Sequence, residues 1–187
     1  MSRKRKENPK KKINPVYFVF CEGESEEAYS TFLRQKYRVP IQIKTKVTGQ
    51  KISDTFIKNH VNEIRRGASS PLDKTYLMYD LDSEEFKNRL LSITSGIILA
   101  SNPNIELWFL LHYRQQKAHI DSSNCIRILK GLNKSYEKGE LNSELEEKLT
   151  SQVSTAVKRA KELTEFDNPS STIYKFLEEL ISIKNKK

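Results

Sequence analysis

Residues 16–33, VYFVFCEGESEEAYSTFL, pass from an apolar run straight into Glu22, Gly23 and a burst of carboxylates. A second apolar run, TYLMYDLD (75–82), ends in Asp80 and Asp82. Carboxylates brought together without partners raise one another's pKa, and a divalent cation relieves that cost. Mg²⁺ prefers oxygen ligands, retains waters, and usually takes one or two carboxylates together with substrate phosphates. Side chains alternate along an extended segment, so the Asp-Leu-Asp unit is expected to present two carboxylates to one side. Gly23 is expected to let the backbone approach closely just after Glu22. Glu22, Asp80 and Asp82 are therefore candidate ligands for Mg²⁺ or Mn²⁺. Each fragment also has a plain structural reading: Glu-Gly commonly follows a strand, and Asp82 or Ser83 can cap a following helix.

A further cluster lies in SNPNIELWFLLHY (101–113). Asn102 and Glu106, four apart, are expected to share a helix face, with Pro103 in the first turn. His112 lies six residues past Glu106 and is rotated away from it. Ile105, Trp108 and Leu111 form an apolar stripe, so Trp108 reads as core and His112 as a buried or interface histidine. Glu106 is the odd residue, a carboxylate in an apolar helix that abuts a strand end. There it can serve as a fourth carboxylate or orient the others. The chain has no Ser-His-Asp order, no G-x-x-x-x-G-K phosphate loop and no G-x-G-x-x-G. Its three histidines (His60, His112, His119) and two cysteines lack zinc spacing.

The elements that must position these residues follow from periodicity. Residues 16–20 read as a buried strand. A helix follows over about 25–37, with Ser25 as its N-cap and early glutamates that suit a helix N-terminus. Residues 41–47 alternate like a half-exposed strand near a sheet edge. Ser53 or Asp54 caps a helix to about Arg66, and 67–73 is a loop. A strand over 75–82, a helix over 83–91, a strand over 96–101 and the helix from Pro103 complete the series. Alternating strands and helices predict an α/β fold: a mostly parallel sheet flanked by helices. The C-terminal strand ends of such a sheet line its binding crevice. Beyond 114 no strand is predicted, and helical patterns run over 122–131, 143–163 and 172–183. In the last, Ile173, Phe176, Leu177, Leu180 and Ile181 form one stripe. The expected organisation is a basic tail (1–15), an α/β core (16–113) and a helical C-terminal part packing on the core (114–187).

The 187-residue chain is 36% hydrophobic and 30% charged, which suits one domain with a real core. No apolar stretch reaches the roughly 18 residues of a membrane span. The basic start lacks the apolar segment of a secretory signal, and two cysteines are too few for a disulfide framework. A cytoplasmic, reduced protein is expected. The net charge of +9 is concentrated at the ends, +6 over residues 1–12 and +3 over 184–187. The body between carries 23 basic and 23 acidic residues. Basic tails can hold phosphates by counterion release, or they can be solvated ends.

Four segments, VFCEGESEEAYSTFL, YDLDS, ASNPNIELWFLLHY and NPSSTIYKFLEEL, resemble in order and form those of the RloB-like family. The third is the most specific, with Ser-Asn-Pro followed by Glu-Leu-Trp and Leu-Leu-His. The resemblance covers nearly the whole chain outside the tails. It implies a bacterial or archaeal protein of phage-defence and abortive-infection loci, often encoded beside an AAA-type or ABC-like ATPase. RloB-like proteins are similar to the TOPRIM group, in which a glutamate after the first strand and a later Asp-x-Asp hold Mg²⁺ for phosphoryl transfer. The resemblance thus assigns Glu22 to the first role and Asp80 and Asp82 to the second. Glu26 matches a commonly acidic position, and Asn102, Glu106 and His112 match the third motif. Two departures stand out. Leu81 replaces the arginine often found between the aspartates, removing a cation for phosphate, and Ser25 replaces a threonine.

These readings predict a TOPRIM-like, Mg²⁺-dependent nuclease cutting DNA or RNA in antiviral defence. Glu22, Asp80 and Asp82 would hold the metal, with Glu26 or Glu106 as general base or second-metal ligand. The alternative is a non-catalytic sensing or docking module of a defence complex. A third idea is a toxin restrained by its ATPase partner. The edge strand and the apolar C-terminal helix leave room for a homodimer.

Overall fold

A computed structural model describes residues 14–40, 42–67 and 69–185. The basic segment 1–12, expected as a flexible tail, lies outside the described residues. The first half alternates as read: β1 (Val16–Cys21), α1 (Glu24–Tyr37), β2 (Gln42–Val47), α2 (Asp54–Arg65), β3 (Lys74–Asp80), α3 (Glu84–Leu91), β4 (Ile97–Asn102) and α4 (Ile105–Tyr113). Then come α5 (Ser122–Leu132), α6 (Ser143–Ser151), α7 (Val153–Lys161), β5 (Ser170–Ser171) and α8 (Tyr174–Asn185).

The five strands form one sheet in the order β2-β1-β3-β4-β5. β1 pairs in parallel with both β2 and β3, and β3 pairs in parallel with β4, while β5 runs antiparallel to β4. From β1 the chain moves outward to β2 through α1; from β3 it moves the opposite way to β4 through α3. The order therefore reverses between β1 and β3, which is where open α/β sheets bind ligands.

Period-two alternation divides the core between the sheet's faces. Tyr17, Val19, Cys21, Tyr76 and Met78 pack with α1, α4 and the later helices α6–α8. Val16, Phe18, Phe20, Leu77, Tyr79 and Leu81 pack with α2 and α3 on the other face. Helix α4 is buried nearly all round, eight of its nine residues, because it lies between the sheet and the C-terminal helices. Among the described residues, no helix is long and apolar enough to cross a membrane.

Several expectations change. The N-cap of α1 is Gly23, not Ser25. Ser53 caps α2 and Ser83 caps α3, each accepting from a backbone N–H three residues on. Pro103 is not in the first turn of α4: it follows Asn102 across a cis peptide bond, and the N-cap is Asn104. The pattern over 143–163 is two helices that meet at Gln152. The two-residue β5 went unpredicted; its Ser171 Oγ lies 2.9 Å from Ser101 Oγ of β4. Lys184 and Asn185, expected in a tail, belong to α8, and Lys184 Nζ stands 5.8 Å from the centre of the Tyr37 ring.

The second Asn-Pro segment also finds its place. Asn168 Nδ2 donates to Asn102 Oδ1 and to the Ile120 carbonyl, and Asn102 Nδ2 donates to the Phe166 carbonyl. The two motifs thus brace each other beside the β4–β5 pair. Asn102 ends β4 rather than sharing a face of α4 with Glu106, and its hydrogen bonds here are structural.

Candidate active site

Each parallel strand around the reversal point delivers a carboxylate. Glu22 directly follows β1, Asp80 is the last residue of β3, and Glu106 sits in the first turn of the helix after β4. Glu26 joins them from the first turn of α1. A cleft of about 430 Å³ opens here, lined by Glu22, Gly23, Glu26, Asp80 and Lys138 among others.

Backbone donors orient two of these groups. Glu22 Oε2 accepts from the Asp80 N–H at 3.0 Å, tying the end of β1 to the end of β3. Glu26 Oε2 accepts from the Gly23 N–H at 2.9 Å, bracing the helix start. Gly23 itself is extended, with φ −144°, so the glycine is not required by a left-handed backbone. A Cβ there would stand 3.4 Å from Glu26 Oε2, an ordinary contact.

The other two carboxylates have free oxygens in buried surroundings. Asp80 Oδ1 and Glu106 Oε2 are both buried without a hydrogen-bond partner. Glu106 is fully buried, and its Oε1 accepts from the Tyr136 hydroxyl at 2.8 Å. Burial, then the nearby charges of Glu26, Glu22 and Glu106, push the Asp80 carboxyl well above the usual carboxylate range. Burial also raises Glu26 and Glu22; Glu22 and Glu106 add to the first, Asp82 to the second. Buried carboxylates that raise one another in this way are an arrangement short of positive charge.

Asp82 lies apart from this group. β3 ends at Asp80, and Asp82 is exposed beyond it, close enough for its charge to act on Glu22. Leu81 points into the core of the opposite face, so this position does not face the cleft. His112 is elsewhere too: its Nδ1 lies 2.9 Å from the Trp108 carbonyl oxygen. Burial lowers its pKa to about 4, so it is a neutral core histidine.

Sequence reasoning missed the loop between α5 and α6. Tyr136 from this loop holds Glu106 from beneath, and Lys138 lines the cleft. The Gly139 N–H donates to Ser25 Oγ at 3.0 Å, which is what Ser25 does in place of capping α1. Gly139 has φ +89°, a backbone conformation that favours glycine. Nothing local in KSYEKG signals these contacts, since their partners lie far away in the chain.

Burial, then the adjacent Glu106, raises the Tyr136 phenol, so Tyr136 stays a donor. Tyr136→Phe leaves Glu106 Oε1 buried with no donor. The expected cost is about 1–3 kcal/mol of stability, read as a lowered urea midpoint at neutral pH. An unchanged midpoint would mean that Glu106 does not depend on this bond.

The donor set is all oxygen, which suits Mg²⁺ or Mn²⁺ and not a thiophilic metal. Asp80 Oδ1, buried and partnerless in the wall of a polar cleft, fits such an ion, and Glu106 Oε2 is partnerless in the interior behind it. Among the described residues, no group of three or more His, Cys, Asp or Glu side chains stands ready to hold a metal ion.

No curated protein and no solved structure matches the chain. The family model described as RloB-like protein matches residues 17–180. That span takes in every carboxylate of the cleft, the Tyr136–Gly139 loop and both Asn-Pro segments, and the chain belongs to the RloB-like protein family.

Proposed function

We propose that the protein is a metal-dependent nuclease, hydrolysing phosphodiesters of DNA or RNA in antiviral defence. The observation that carries this reading is the group of Glu22, Glu26, Asp80 and Glu106 at the reversal point of the sheet, with orphaned oxygens on Asp80 and Glu106. Asp80 and Glu22 would hold Mg²⁺ or Mn²⁺, with Asp82 reaching in from the solvent side. A divalent cation bound there supplies Lewis-acid polarisation of the phosphodiester and acidifies a water. Glu22 keeps its position through the Asp80 N–H, so the two ligand-bearing strand ends move as one. Glu26, whose hold on a proton is strengthened by burial, takes the proton of the attacking water as general base. The water oxygen attacks phosphorus as the bond to the ribose oxygen breaks, and that oxygen leaves as an alkoxide that takes a proton from solvent. Glu106, held by Tyr136, backs the inner wall and orients the ligands.

Family membership supports a role in abortive infection and an AAA-type or ABC-like ATPase as partner, as the resemblance implies. A second reading, a non-catalytic TOPRIM-like docking module, has one observation in its favour. Glu22 and Glu26 each already spend an oxygen on a backbone N–H, which gives both a structural use.

Incubating the full chain with mixed DNA and transfer RNA, in Mg²⁺, Mn²⁺ or EDTA, separates the two. Cutting that needs the metal is expected. No metal binding by calorimetry, and no cutting with or without the ATPase partner, favours the docking module.

A further inference from the structure

The α5–α6 loop brings a lysine to a cleft otherwise walled by carboxylates. Lys138 lines this cleft together with Glu22, Glu26 and Asp80. Among the described residues it makes no hydrogen bond or ion pair. The residue is exposed rather than buried among the acids. It is thus near enough to favour the charged forms of Glu22 and Asp80, yet it neutralises neither by contact.

Its position is set by its neighbours. Gly139 is tied to Ser25 at the start of α1, and its left-handed backbone lies against Glu24, where a Cβ would meet Glu24 Oε2 at 3.3 Å. Tyr136, two residues earlier, is anchored on buried Glu106. The loop is therefore pinned on both sides of Lys138, and the lysine stands at the rim with its three donors uncommitted. A cleft that binds a cation through carboxylates and acts on a phosphodiester must also accept the substrate's own anionic oxygens. No carboxylate can do that, and Leu81 faces the other way.

We infer that Lys138 is a substrate-contacting residue, donating to a non-bridging phosphate oxygen of the nucleic-acid strand in the cleft. This rests on the nuclease reading above and deepens it. The loop after α5 then contributes to the site as a clamp on the phosphate, opposite the carboxylates.

The test is steady-state cleavage of short fluorescent single-stranded DNA and RNA oligonucleotides in Mg²⁺, over a range of KCl. Wild type is compared with Lys138→Ala and Lys138→Arg, whose folding is checked by thermal melting. Lys138→Ala is expected to lower kcat/KM roughly ten- to a hundredfold, the scale of one charged hydrogen bond. Loss of one phosphate contact should also flatten the log–log salt slope by about 0.7. Lys138→Arg should keep most of the activity and the wild-type slope. If Lys138→Ala equals wild type, the inference falls and the nuclease reading stands. If both variants are equally impaired with an unchanged slope, Lys138 only props the loop, and the inference again falls. If wild type cuts no oligonucleotide in Mg²⁺ or Mn²⁺, the nuclease reading fails and this inference fails with it.

Discussion

Replacing Asp80 with asparagine is expected to abolish the proposed metal-dependent cleavage and to raise the thermal midpoint of the metal-free protein. The two effects have one origin. Asp80 is held well above the ordinary carboxylate range, first by burial and then by Glu26, Glu22 and Glu106. Its Oδ1 has no hydrogen-bond partner. Asparagine keeps the shape, removes the charge, and brings an amide that can donate to neighbouring carboxylates. The fold loses a repulsion, while the proposed cation would lose a ligand. The expected fall in kcat is roughly a thousandfold or more, about 4 kcal/mol of lost transition-state stabilisation. Cutting is measured on mixed DNA and transfer RNA, and stability by thermal melting in EDTA. Retained cutting would remove Asp80 from the mechanism. A lowered midpoint together with lost cutting would make Asp80 a structural residue whose charge the fold needs.

The metal-free protein should lose stability as pH rises, and Mg²⁺ or Mn²⁺ should restore it. The folded state raises the pKa of Asp80, Glu26 and Glu22, so it binds protons that the unfolded chain releases. Stability then falls with pH, starting near the ordinary aspartate value of 3.8 and continuing through the raised folded-state values. This is opposite in sign to a salt-bridged carboxylate, which stabilises as pH rises. A cation that binds only the folded, deprotonated cluster adds stability by mass action, about 2.7 kcal/mol at a hundredfold excess over its dissociation constant. Its effect should therefore be small near pH 5 and large near pH 8. Urea unfolding across that range, in EDTA and in saturating Mg²⁺ or Mn²⁺, reads both parts. A midpoint that ignores pH and metal alike would make the cluster structural and move the docking module ahead. Asp80→Asn should flatten both dependences, which assigns them to this site.

The placement of Glu22 and Asp80 is local and therefore readable from residue order. Buried strands announce themselves as VYFVFC and KTYLMYD, and a carboxylate that ends such a run stands at a strand's C-terminal edge. Alternation of strand and helix made the sheet parallel, so those edges face the same way. Where periodicity was too short or too uniform, residue order misled. β5 has two residues and no pattern to show, and it is held by Thr172 and Ser171 against β4. The seam at Gln152 breaks a helical pattern that reads as continuous. Asp82 alternates with Asp80 on paper, but the strand stops at Asp80 and Asp82 turns out to solvent.

The rest of the site depends on contacts between distant segments. Glu106 comes near enough for its charge to act on Asp80 only because α4 packs between the sheet and the C-terminal helices. Tyr136 reaches Glu106 across 30 residues, and Gly139 reaches Ser25 across 114. No local propensity encodes such a meeting: it is fixed by which apolar faces of α1, α4 and the C-terminal helices close on one another. The carboxylates at the strand ends were legible as potential ligands. Their shared burial, which raises Glu22, Glu26 and Asp80 together, and the lysine set at the rim arise from that closure.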